Sequence, residues 1–279
     1  LSTFLTTIPD PLTHQDVEKL RLILSTYQDG TGMLAASNDM TLPGWRDFER
    51  AVAAALAGKA QESKYVFDVI ITKSEYMFGI SCKMRRELNK VADRDDRAGR
   101  ITMELSNSAK KFWEHLKTKG INETNYREQP TEVGVALIEL VQSWHKVESI
   151  LSGGRIHLDK SSYLALSWNK QGSYQLHQFA LTLPDPRTLR WHFPMKKGKN
   201  GKVPANRLCG NDGSGTLFEW YGTSGGQLKY YPLAKDALWS SDIFHLELLP
   251  SSEDIQYGIV AKTKAYYPLQ WDTIERENL

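Results

Sequence analysis

Cysteine is nearly absent from this chain: 279 residues carry two, Cys82 and Cys209. Two isolated thiols cannot build a disulfide framework, and they lack the paired spacing of a zinc site. A reducing compartment is the simpler expectation. Long apolar runs are also missing, since none approaches the roughly 18 residues that span a bilayer, so no membrane partner is expected. The opening residues, Leu1-Ser2-Thr3-Phe4-Leu5, have neither the basic nor the apolar segment of a secretory signal, which points to the cytoplasm. Charge of one sign is scarce as well. A net charge of +2 excludes a polycation that coats nucleic acid by bulk attraction, and any such binding must come from local clusters of Lys and Arg.

What is present is a globular composition, 41% hydrophobic and 24% charged, too apolar for disorder and long enough for a sizeable core. Asp16 to Tyr27 repeats Val17, Leu20, Ile23 and Leu24 at helical spacing and is closed by Asp29-Gly30. A second helix is expected from Gly44 through Trp45, Phe48, Val52 and Leu56 to Gly58, and it carries Glu49. Tyr65 to Ile71 and Tyr76 to Met84 read as an antiparallel hairpin. Helices are then expected over Arg85 to Asp96, Glu104 to Lys117 and Glu132 to Leu151, the last stopped by Gly153-Gly154. From Ile156 the pattern turns to short strands: Tyr163 to Trp168, Tyr174 to Leu183, Leu189 to Phe193, Thr216 to Tyr221, Gln227 to Tyr231 and Ile243 to Leu248. The expected fold class is mixed α/β. Residues 1–40 form a helical segment, 41–155 a catalytic core, and 156–279 a β-rich part that completes the core and reads the target.

The chemistry concentrates between Gly44 and Lys83. Gly44-Trp45-Arg46-Asp47-Phe48-Glu49 puts an acid on a helix, Asp68 opens an apolar strand 19 positions later, and Ser81-Cys82-Lys83 closes the next strand. A carboxylate and an ammonium on adjacent strand edges leave room for a divalent cation and a phosphate. This order resembles the PD-(D/E)xK nuclease superfamily, loosely its Mrr-like branch. The resemblance covers about 40 residues. It implies a restriction-endonuclease-like αβββαβ core, magnesium dependence and hydrolysis of phosphodiester bonds in double-stranded DNA. On that resemblance Asp68 is a metal ligand, Lys83 assists the attacking water and counters phosphorane charge, and Glu49 takes a second metal or a metal-bound water. The chain departs from the pattern in two respects. The Gly-to-Phe spacing is one residue longer, and Ser81 stands where the motif has an acid, so another carboxylate should be recruited. Glu87 and Glu104 are the candidates, Glu104 being preferred. Alternation directs Cys82 away from Ser81 and Lys83, which argues against a catalytic thiol.

Basic side chains follow the same strand. Lys83, Arg85, Arg86 and Lys90 crowd at its end, and Lys110 with Lys111 lie on another helix, placed to hold phosphates. Between 190 and 207 six cations (Arg190, Lys196, Lys197, Lys199, Lys202, Arg207) occur with no acid, as a loop able to meet DNA would have. The expected protein is a type II restriction endonuclease, acting as a homodimer on a symmetric site. A repair nuclease, or an inactive DNA-binding protein on the same core, is the alternative.

Overall fold

The computed structural model describes residues 9–36, 40–61, 66–89, 99–198, 201–251, 258, 261, 264–265 and 267–277. Lys90 and Lys199, both expected to touch DNA, lie outside them.

The first helix, α1 (His14–Thr26), starts at Thr13, whose hydroxyl accepts the Asp16 amide while Asp16 Oδ2 accepts from the Thr13 amide. A short pair, β1 (Leu34–Ala35) and β2 (Thr41–Leu42), precedes α2 (Trp45–Ala55). The α2 stripe of Phe48, Ala51, Val52 and Ala55 is buried, as its period predicts. Asp47 Oδ2 fixes its entry by accepting the amides of Gly44 and Met33, both at 2.8 Å.

Next come β3 (Lys59–Ala60), β4 (Val69–Thr72) and β5 (Met77–Arg85), an antiparallel meander registered Val69 to Ile80 and Thr72 to Met77. The chain then leaves the sheet for β6 (Met103–Ser106), α3 (Ala109–Lys117) and α4 (Pro130–Glu148). It returns as β7 (Ser162–Trp168), parallel to β5, and β8 (Ser173–Ala180), antiparallel to β7. Beyond β8 lie β9 (Arg190–His192), the ribbon β10 (Met195–Gly198) with β11 (Gly201–Pro204), then β12 (Leu208–Asn211), β13 (Thr216–Trp220) and β14 (Leu228–Tyr230). Two edge strands, β15 (Trp239–Ser240) and β16 (Phe244–His245), both pair with β8, and α5 (Pro268–Glu277) comes last.

Two main sheets result. The seven-stranded sheet runs β15-β8-β7-β5-β4-β3 with β16 also on β8, and the five-stranded sheet runs β6-β14-β13-β12-β9. One face of the larger sheet (Val69, Ile71, Ile80, Cys82, Leu164, Leu166) packs on α1 and α2. Its other face (Phe67, Ile70, Tyr163, Ala165) shares a second core with α3, α4 and the apolar face of the five-stranded sheet. Helix α4 is the hinge of this arrangement. A Cβ on its Gly134 would lie 2.1 Å from the Trp191 ring of β9, while its His145 ring sits 5.5 Å from Phe67 at the larger sheet.

The mixed α/β class agrees with expectation; several element boundaries do not. Glu104 lies in a strand rather than opening a helix, because β6 pairs with β14 and buries Met103; the helix begins only at Ala109. Residues 86–89 turn instead of continuing a helix. The strand expected over 243–248 shortens to Phe244–His245, whereas β12, the β10–β11 ribbon and α5 were not foreseen. Among the described residues no helix is long and apolar enough to cross a membrane.

Candidate active site

Strand geometry brings Asp68 to the β5 motif. The Asp68 amide donates to the Ile80 carbonyl (3.1 Å), and the Phe67 ring lies over Gly79, where a Cβ would come within 2.2 Å of it. That close approach leaves Asp68 beside the middle of β5. Its Oδ2 takes three donors, the Cys82 amide at 2.8 Å, the Ser81 hydroxyl at 3.2 Å and Lys83 Nζ at 3.4 Å. Lys83 Nζ also donates to Ser81 Oγ at 2.7 Å. Oδ1 makes no hydrogen bond with another described residue. The Lys83 and Asp68 side chains are 16% and 29% exposed, buried enough for the pair to resist screening but open to a ligand.

Asp68 and Ser81 line a cleft of about 890 Å³ with Glu49 from α2, Val141, Trp144, His145 and Glu148 from α4, and the 105–111 segment. Three carboxylates therefore share one cleft: Asp68, Glu49 and Glu148. Its cations are Arg46, whose guanidinium lies 4.8 Å from the Trp45 ring, Lys110, and Lys111 at 5.3 Å from the Trp144 ring. The His145 imidazole is pushed down to about 4, first by burial and then by the Lys83 charge, against its hydrogen bond at Val141. It stays neutral near pH 7 and adds no second cation beside Lys83. Burial, and after it the Asp68 charge, hold the Cys82 thiol well above its ordinary value. A protonated thiol packed in the α1/α2 core is no nucleophile.

The structure gathers Asp68, Ser81, Lys83 and Glu49, and it places the other two sequence-nominated acids elsewhere. Glu104 Oε2 accepts from Arg85 at 3.0 Å, and Glu87 Oε1 accepts the Thr102 amide at 2.8 Å. Neither lines the cleft. Glu148 does, and sequence reasoning missed it. Its signal was available, because Val141, Trp144, His145 and Glu148 form one helical stripe at i, i+3, i+4 and i+7 that ends in an acid. Arg86 lies 6.0 Å from the Trp168 ring, and Lys196, Lys197 and Lys202 stand on the exposed ribbon. Arg207 pairs with the buried Glu219.

Among the described residues no group of three His, Cys, Asp or Glu is close enough to hold a metal together. Magnesium asks less, since it binds through one or two carboxylates and keeps several waters. A carboxylate with Oδ2 pinned and Oδ1 making no hydrogen bond with another described residue, in one cleft with Glu49 and Glu148, fits that requirement. No protein-family model, curated protein or solved structure significantly matches the chain.

Proposed function

We propose that this protein is a magnesium-dependent DNA endonuclease of the PD-(D/E)xK type, and specifically a type II restriction endonuclease. The observation that carries the reading is Asp68, held through Oδ2 by Ser81, Cys82 and Lys83 in a cleft that Glu49, Glu148, Arg46, Lys110 and Lys111 also line. The order of α2, the antiparallel β3–β5, intervening helices and a strand parallel to β5 supports it, since the sequence resemblance implies that order.

A bound magnesium ion supplies a more acidic water and a Lewis acid for the phosphate. The protein's own groups do the rest. Asp68 presents a hard oxygen ligand that its three donors keep in one orientation, and Glu49 and Glu148 are placed to orient water in the same cleft. Lys83, fixed by Ser81 and Asp68, is a cation set beside the charge that builds on the phosphorane. Arg46, Lys110 and Lys111 meet the flanking phosphates. Glu148 and Glu49 thus take the place that the sequence left to Glu87 or Glu104.

The test is incubation of long methylated and unmethylated duplex DNA with and without magnesium. Discrete magnesium-dependent fragments are expected, and Asp68→Ala and Lys83→Ala should each reduce cleavage about 100- to 1,000-fold with the fold intact, a loss of the size seen when transition-state charge stabilisation is removed. Near-wild-type cutting by either variant overturns the assignment. A second reading, an inactive DNA-binding protein, is favoured by Ser81, whose hydroxyl is already engaged by Asp68 and Lys83. It predicts retarded but uncut DNA.

A further inference from the structure

The polar face of the five-stranded sheet holds a buried charge that the proposed cleavage site does not use. Glu219 on β13 is 1% exposed, yet it lies on the face turned away from the core that Phe218, Trp220, Leu228 and Trp191 build on the other side. Removing a carboxylate from water costs several kcal/mol unless partners satisfy it, and here they do. The Tyr231 hydroxyl donates to Oε2 at 2.7 Å and the Tyr221 hydroxyl at 2.9 Å. Arg207 Nε stands 3.2 Å from Oε1, with the Cys209 thiol at 3.9 Å from the same oxygen. The Arg207 side chain is nevertheless 41% exposed. A buried, doubly anchored carboxylate therefore lies in ion-pair contact with the buried Nε edge of a guanidinium, without a hydrogen bond to it, while the rest of the Arg207 side chain meets solvent. Burial is the strongest single influence on the Arg207 pKa and lowers it, but Glu219, Cys209 and Tyr221 together outweigh it and the net shift is upward, so the guanidinium stays charged.

Arg207 also stands at the foot of an unusual projection. The ribbon β10–β11 belongs to neither main sheet, its described β11 residues are all exposed, and the amide of Ala205 closes it on the Pro194 carbonyl. Lys197 pairs across it with Lys202, and Lys196 with Val203; none of these lysines forms an ion pair with another described residue. Beside its foot Arg127, 5.8 Å from the Phe193 ring, donates to Asn206 Oδ1. A two-stranded ribbon is one of the two elements that fit the major groove of B-form DNA, and an arginine fork matches the O6 and N7 acceptors of guanine.

We propose that the ribbon of Met195–Gly198 and Gly201–Pro204 enters the major groove of duplex DNA and that Arg207, oriented by Glu219, reads a guanine there. Arg207 is the specificity-determining residue, Glu219 a positioning residue, and Lys196, Lys197 and Lys202 supply phosphate attraction without sequence preference. The inference rests on the endonuclease reading for its substrate class. The register supports a shared duplex: Glu104, Lys229, Glu219 and Cys209 are successive partners across the sheet, so three strand steps of about 4.8 Å separate β12 from Glu104. Glu104 in turn bonds Arg85, two residues beyond Lys83. One duplex can lie on both regions.

The experiment uses the full chain carrying Asp68→Ala, so that binding is read without cleavage, in a selection from a random duplex library at fixed salt without magnesium. A motif containing guanine is expected. Adding Arg207→Ala or Arg207→Lys should erase preference at one position and weaken binding to the selected duplex about 10- to 100-fold, the discrimination of a bidentate contact, while leaving random duplex unaffected. Glu219→Gln should relax that same position with the salt dependence unchanged, which a loss of global stability would not do. Lys197→Ala with Lys202→Ala should weaken all duplexes alike and reduce the slope of log affinity against log salt by about 1.8, or 0.9 per phosphate contact. Circular dichroism establishes that each variant is folded. An unchanged motif with Arg207→Ala overturns the inference and leaves the nuclease reading standing. Duplex binding without any selected motif also overturns it. If the folded protein binds no duplex and the wild-type chain cuts none with magnesium, the endonuclease reading falls as well.

Discussion

At the scale of single residues, the cleft ranks the acids that a sequence could only nominate. Glu148→Gln and Glu49→Gln should lower cleavage and raise the magnesium concentration needed for half-maximal rate, whereas Glu104→Gln should leave that requirement unchanged. A titration of rate against magnesium separates them. Asp68, Ser81 and Lys83 were legible because a hairpin is local: its register follows from two apolar runs and a short turn. Glu148 was not, because only the packing of α4 against the larger sheet brings it into the cleft that Asp68 lines. His145 allows a prediction about stability. Its folded pKa, about 4, lies below the ordinary 6.5 of the unfolded chain. Between those values the unfolded chain takes up a proton that the folded one refuses. The contribution is fully present above pH 6.5, declines as pH falls, and is lost by about pH 4, on the order of 3 kcal/mol in all. Denaturant unfolding at pH 7 and pH 4.5 should show the decline, and His145→Asn should flatten it.

At the scale of elements, α4 is the component on which both sheets depend. The close seat of Trp191 on Gly134 means that Gly134→Ala must displace a buried indole or separate helix from sheet. A loss of about 1–3 kcal/mol is expected from such overpacking, measurable as a lower denaturant midpoint with an unchanged slope. The strands from 162 to 180 could be read from their aromatic residues, Tyr163, Trp168, Tyr174 and Phe179, and from the Asn169–Gly172 turn between them. Strand β6 could not, since Glu104-Leu105-Ser106 acquires its partner only from β14, far along the chain, and local pattern merges it with the helix that follows. The basic run between 190 and 207 was visible as charge; its folding into a separate ribbon came from the pairing of Met195–Gly198 with Gly201–Pro204.

At the scale of the whole molecule, the two sheets share one core through α3 and α4. The five-stranded sheet therefore cannot lose its packing without exposing the Tyr163 and Phe67 side of the larger one. Unfolding followed by tryptophan fluorescence and by far-ultraviolet circular dichroism should give coincident transitions; well-separated ones would show that the sheets are independent units. A symmetric target cut on both strands also calls for two copies of the cleft, so sedimentation of the DNA complex should show two chains per duplex.

The parallel junction of β5 with β7 bears on the order in which the candidate site is assembled. Strand β5 carries Ser81 and Lys83, yet its parallel neighbour arrives only after the chain has laid down β6, α3 and α4 over residues 86–161. The β4–β5 hairpin can form early from local contacts, while closure of that excursion is a slow, high-contact-order step. A nascent chain would thus hold Asp68 and Lys83 together well before α4 and β7 close the cleft around them, so on the proposed function cleavage would await the last strands of the larger sheet.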